Sequence, residues 1–95
     1  MSNYTVRVEL HEAESNHYEK LHEEMKRRGF SRRVRINGVS YQLPTAEYSL
    51  VAVSNRQRVL KKAEAAANAV KPHPKPYILV TSSELPRVFS GLKRA

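Results

Sequence analysis

The stretch FSRRVRINGVSYQLPTAEYSLVAV, Phe30 to Val53, carries the reading on which the fold depends. Its first part alternates, with Phe30, Val34 and Ile36 apolar against Ser31, Arg33 and Arg35, the period of a half-buried strand. Asn37-Gly38 follows, the strongest short-range hairpin signal, because both residues adopt the positive φ of a type I′ turn at little cost. Residues 30–36 and 39–53 are therefore expected to pair. In the second of these the apolar set is Val39, Tyr41 and Leu43 before Pro44, but Ala46, Tyr48 and Leu50 after it. That change of parity predicts a bulge near Pro44 and Thr45.

Outward from the hairpin the pattern repeats. Upstream, YTVRVEL alternates over residues 4–10, and NHYEKLHEEMKRRG places Tyr18, Leu21 and Met25 at helical spacing. Lys26, Arg27 and Arg28 fall in its last turn, where the helix dipole favours cations, with Ser15 as a candidate N-cap and Gly29 as a stop. Downstream, residues 54–71 open on Ser54, a candidate N-cap, and set Val59, Ala63, Ala66 and Val70 on one face of a second helix, which KPHPKP ends. YILVTSS, residues 77–83, reads as a buried strand. The order βαββαβ predicts an α+β fold, a ferredoxin-like sandwich. Its four-stranded antiparallel sheet would run fourth, first, third, second, with two helices on one face. Residues 1–82 would form a single domain and 83–95 a C-terminal extension, apolar at Leu85, Val88, Phe89 and Leu92. With Val6, Val8, Val34 and Ile36 turned to the helices, Arg7, Glu9, Arg33 and Arg35 would share the open face. Lys26, Arg27 and Arg28 would stand at its rim.

Composition narrows the function. The chain has 95 residues, no cysteine and no aspartate, which excludes disulfides, thiolate metal sites and a thiol nucleophile. No run of about 18 apolar residues is present, and MSNYTVRVEL lacks the basic and apolar regions of a secretion signal, so a cytoplasmic protein with no membrane partner is expected. The net charge of +8 is uneven. Residues 1–25 hold two cations against six glutamates, a net −4, while residues 26–95 hold fifteen against three, a net +12. Six of those cations lie in KRRGFSRRVRI, Lys26 to Ile36. Such asymmetry points to a polyanionic partner, nucleic acid above all. The plainer explanation is that surplus cations keep a small domain soluble.

Four segments, NYTVRVELH, YEKLHEEMKRRGFSR, YQLPTAEY and YILVTSS, resemble in that order the small bacterial and prophage proteins of the GhoS-like family, endoribonuclease antitoxins of type V toxin-antitoxin systems. The likeness spans about residues 3–82, and YQLPTAEY is its most distinctive part. It implies a ferredoxin-like fold similar to that of the CRISPR-associated spacer-acquisition nuclease. It also implies a single-stranded RNA substrate, a toxin messenger in the founding member. No catalytic motif of the family transfers to individual positions here.

RNA cleaves itself when its 2′-OH is positioned and deprotonated, so a base, an acid and a cation suffice. His11 follows Glu9 by two; if the first strand runs that far, His11, Glu9 and Arg7 form a base, an orienter and a cation on the open face. Otherwise His11 is a loop residue. His22 borders the apolar stripe of the first helix and is expected to pack at its edge. His73, between prolines, should be solvated. RNA binding is assigned to Arg7, Lys26, Arg27, Arg28, Arg33 and Arg35, whereas Arg32, by parity on the helix-facing side or at the strand's frayed start, should matter less. No cofactor is expected, and no metal; a metal route would need Glu9, Glu12 and Glu47 to meet. The RNP signature of RNA-recognition modules is absent. A non-catalytic RNA-binding module, or a protein-interaction module using a sheet edge, is the alternative. The apolar residues of Leu85 to Leu92 leave a homodimer open.

Overall fold

The computed structural model describes residues 2–84 and 90–94. Seven elements follow in order: β1 (Ser2–Glu9), α1 (Ser15–Arg27), β2 (Arg33–Ile36), β3 (Val39–Gln42), β4 (Glu47–Ala52), α2 (Arg56–Val70) and β5 (Tyr77–Ser83). They form an α+β fold with a three-stranded antiparallel sheet, ordered β4-β1-β5, and a two-stranded sheet made by β2 and β3.

The central strand obeys the alternation read from its sequence. Tyr4, Val6, Val8 and the following Leu10 are buried, while Arg7 and Glu9 are exposed. Across from them, Leu21 and Met25 of α1 and Val59, Ala63, Ala66 and Ala67 of α2 complete one core with Tyr48 and Phe30. The small residues of α2 let it lie close to β1 and β5, since alanine buries a helix face without side-chain entropy loss.

Both helix starts lie one residue from where the caps were expected. The N-cap of α1 is Glu14, not Ser15, and His17 Nδ1 accepts its backbone N–H at 2.9 Å. The N-cap of α2 is Asn55, not Ser54, its Oδ1 accepting from Arg58 N at 2.9 Å. Gly29 does end α1, at φ +91°. Its N–H bonds Lys26 O and that of Phe30 bonds Met25 O, both at 3.0 Å, a Schellman closure that brings Phe30 into the core.

That closure delivers Ser31 to the edge of β4, where Ser31 and Ser49 exchange two backbone hydrogen bonds of 2.8 and 2.7 Å. The expected single sheet of four strands does not form beyond this bridge. Ser31 Oγ accepts the N–H of Arg33 at 3.0 Å, which turns the chain away from β4. On the return path, the bulge predicted near Pro44 and Thr45 is a full break. Leu43 N bonds Arg32 O, extending the hairpin ladder by one step; Pro44 has no N–H to give, and Ala46 takes φ +98°. The long strand expected over 39–53 is thus two strands in two sheets.

The hairpin itself is as read: Asn37 and Gly38 have φ +51° and +78°, and Val34 pairs with Tyr41 and Ile36 with Val39. Near the C-terminus, Lys93 O accepts from Gln42 N at 2.8 Å and Arg94 bridges Tyr41, so residues 93–94 lie along the outer edge of β3. Leu85, Val88 and Phe89, on which a homodimer was to rest, lie outside the described residues. No helix among the described residues is long and apolar enough to cross a membrane.

Candidate nucleic-acid interface

The residues proposed from sequence as one platform are divided between two places. Arg7 and Glu9 stand on the exposed face of the three-stranded sheet, where Arg7 pairs in register with Glu47 and Leu79, and Glu9 with Tyr77. With Tyr77 and Leu79, both exposed, they line a shallow depression of about 290 Å³. His11 lies just past the end of β1, so strand parity does not place it beside Glu9. Its ring meets that of Tyr77 edge to face at 4.2 Å, and its Nε2 is closed from solvent without a hydrogen-bond partner. Among the described residues, Glu9, Glu12 and Glu47 do not gather into a set able to hold a metal.

The rest of the basic run behaves differently. Because the hairpin turns away from β4, Arg33 leaves the sheet face and joins His22, Lys26, Arg32 and Gln42 around a groove of about 550 Å³. The groove runs between the last turns of α1 and the segment from Phe30 to Arg33. Among the described residues, Glu23 is the single carboxylate in its lining, against the three cations Lys26, Arg32 and Arg33. Arg35, also exposed, lies further along β2. Arg27 and Arg28 are committed elsewhere: both reach Glu24, at 3.4 and 2.6 Å. The Arg28 hydrogen bond, aided by Arg27, holds the Glu24 carboxyl below its ordinary range.

His22 and Arg32 are the groove residues that sequence reasoning set aside. His22 Nδ1 lies 2.6 Å from the hydroxyl oxygen of Tyr48, a side chain fully buried on the helix-facing side of β4. Burial pushes the Tyr48 phenol far above its ordinary value, so it stays protonated. Burial, and then the charge of Arg32, holds the His22 imidazole below its usual value, while Glu19 acts in the opposite sense. Arg32 is half buried, and its Nε has neither solvent nor, among the described residues, a hydrogen-bond partner. The position of His22 beside Leu21, at the border of the apolar stripe, was the signal available in the sequence. Its tertiary partner was not.

Chemically, the groove offers convergent donors for an anion, one imidazole with a fixed ring orientation and, among the described residues, a single carboxylate. The chain matches no known family, no curated protein and no solved structure in comparisons of its sequence and its fold.

Proposed function

We propose that this chain is a single-stranded RNA-binding protein that holds the phosphate backbone in the groove between α1 and the Phe30–Arg33 segment. The observation that carries the reading is the convergence of Lys26, Arg32 and Arg33 there, facing one carboxylate, in a chain of net charge +8. A groove lined by the end of one helix and one short segment offers contacts for a few phosphates, which suits a single strand, whereas duplex RNA is recognised across a broad minor groove. The GhoS-like resemblance favours the same partner. The order β4-β1-β5 with the Ser31–Ser49 bridge on the far side of β4 supports a ferredoxin-like frame whose second strand has peeled from the sheet.

A labelled single-stranded oligonucleotide, titrated between about 50 and 200 mM salt, tests this. Neutralising three phosphates gives a log–log slope of about −2, so affinity should fall roughly fifteen-fold across that interval. The pair Lys26→Ala and Arg33→Ala, both at exposed positions, should weaken binding and flatten the slope. Binding indifferent to salt and to both changes would sink the reading.

A second reading, GhoS-like endoribonuclease action on messenger RNA, is favoured by the His22 imidazole standing among those cations with Nδ1 held by Tyr48. Here His22 takes the proton-transfer role assigned above to His11, and Arg32 or Lys26 faces the developing phosphorane charge. Deprotonation of the 2′-OH lets that oxygen attack the adjacent phosphorus; the 5′-oxygen leaves with a proton, and a 2′,3′-cyclic phosphate remains. Incubation with labelled messenger in EDTA should yield that end group, and His22→Ala should slow cutting by about 10² to 10⁴. Intact RNA after prolonged incubation would leave a binding protein without cleavage.

A further inference from the structure

Two groups in the groove keep hydrogen-bonding capacity that the fold does not use. Arg32 has its Nε closed off without a partner. Among the described residues its guanidinium also has no carboxylate at ion-pair distance, the two ion pairs of α1 both going to Glu24. A guanidinium that lines an open groove with no carboxylate on it is a natural partner for a bound oxyanion. His22 commits Nδ1 to Tyr48, so Nε2 is the ring nitrogen left to the groove.

The Tyr48 contact suits every state of that ring. A hydroxyl donates to Nδ1 of one neutral tautomer and accepts from Nδ1–H of the other. In the imidazolium, Nδ1–H donates to Tyr48 Oη while Nε2–H and its charge face the groove. The ring can therefore gain a proton without losing its anchor.

We propose that His22 and Arg32 form a phosphate subsite within the groove, and that filling it favours protonation of His22 from solvent, so that the phosphodiester of single-stranded RNA is held more tightly as pH falls. The subsite rests on the RNA reading above. The charged and titratable groups around His22 set the direction. From its own helix come Glu19, Glu23 and Lys26; from the Phe30–Arg33 segment come Arg32 and Arg33; from β4 comes Tyr48. With the groove empty, burial and Arg32 both oppose the imidazolium. An oxyanion between Arg32 and His22 replaces that repulsion with attraction and favours the charged ring. Linkage then requires that the protonated protein bind the anion more tightly.

Two measurements on the full chain test this. One is RNA affinity at constant ionic strength from about pH 8 to about pH 5.5, for the wild type and for His22→Gln, which keeps a polar side chain of similar reach. The other is the NMR titration of the His22 imidazole in the wild type with and without inorganic sulfate, whose own charge is constant over that range. Affinity should rise about tenfold on acidification, the equivalent of a one-unit change in proton affinity on binding. The glutamine variant, which retains the other three imidazoles, should lose most of that dependence. Sulfate should move the His22 midpoint upward. RNA that binds with no pH dependence, or with a dependence unchanged in the variant, overturns the proton-coupled subsite and leaves the RNA reading standing. Absence of RNA binding together with an upward shift in sulfate does the reverse. If neither response is seen, both fall.

Discussion

The hydroxyl oxygen of Tyr48 and Nδ1 of His22 are 2.6 Å apart, and that contact joins the deepest layer of the core to the lining of the basic groove. Tyr48 pairs in register with Val6 on β1, so the position of its hydroxyl is set by the sheet. His22 lies one residue after Leu21, which anchors α1 in the same core. The ring is thus oriented by packing on both sides of the contact.

Tyr48→Phe isolates this hydrogen bond, since the ring fills the same space. The variant should lose about 1 kcal/mol of stability, read as a lower urea midpoint at unchanged slope. It should also free the His22 ring, seen as altered imidazole shifts. An unchanged midpoint with unchanged shifts would show that the contact holds neither the fold nor the ring.

Acid should weaken the free protein in a window set by His22. Its folded-state proton affinity is lowered, chiefly by burial, so the unfolded chain takes the proton first. The contribution from keeping the ring neutral is present above the ordinary value of 6.5 and is lost as pH falls through and below it. Glu24, whose carboxyl is held low by Arg28, acts in a lower window: its contribution persists above about 4.5 and fades beneath it. Urea midpoints should therefore fall between about pH 7.5 and pH 5.5 in the wild type, and fall less in His22→Gln. Parallel curves for the two proteins would assign the acid loss to other groups.

The features legible in the sequence were those that local chemistry decides. Asn37-Gly38 announced its turn through positive φ, Gly29 its helix stop, and the alternation around Val6 and Val8 its buried face. The destination of the hairpin was not legible. Parity around Pro44 said that the strand could not continue evenly, but a bulge and a break produce the same switch in parity. Only the bond from Arg33 N to Ser31 Oγ and the φ of Ala46 distinguish them. The consequence reached the site. Parity along one sheet predicts Arg33 beside Arg7, and the turn after Ser31 puts it in the groove with His22 instead. Arg32 was set aside on the same parity and lies in the groove.

Gly29 is the residue that aims this turn. A Cβ built there would meet only Leu50 Cδ1 at 3.8 Å, an ordinary contact, so the cost of Gly29→Ala is conformational. At φ +91° that cost is about 1 to 2 kcal/mol. The variant should melt earlier, and at temperatures where it is still folded the Ser31 and Ser49 amides should exchange faster, as the bridge they form follows directly from the helix closure. Full protection of both amides in the variant would separate the bridge from the closure.

The division of the basic residues between two faces yields the most discriminating comparison. Arg7 stands in β1 beside Glu47 and Leu79, on the exposed sheet face, whereas Lys26 and Arg33 line the groove with His22 and Arg32. All three are surface cations, so each alanine change removes the same charge and perturbs the fold little. If long-range charge alone governed RNA binding, the three changes would weaken it equally. If phosphates sit in the groove, Lys26→Ala and Arg33→Ala should each lower affinity several-fold and reduce the salt slope by about 0.7, while Arg7→Ala leaves that slope unchanged. The reverse ranking, with Arg7→Ala the most damaging, would move the interface to the sheet face, where Tyr77 could stack a base and Glu9 and His11 would regain a place beside the strand.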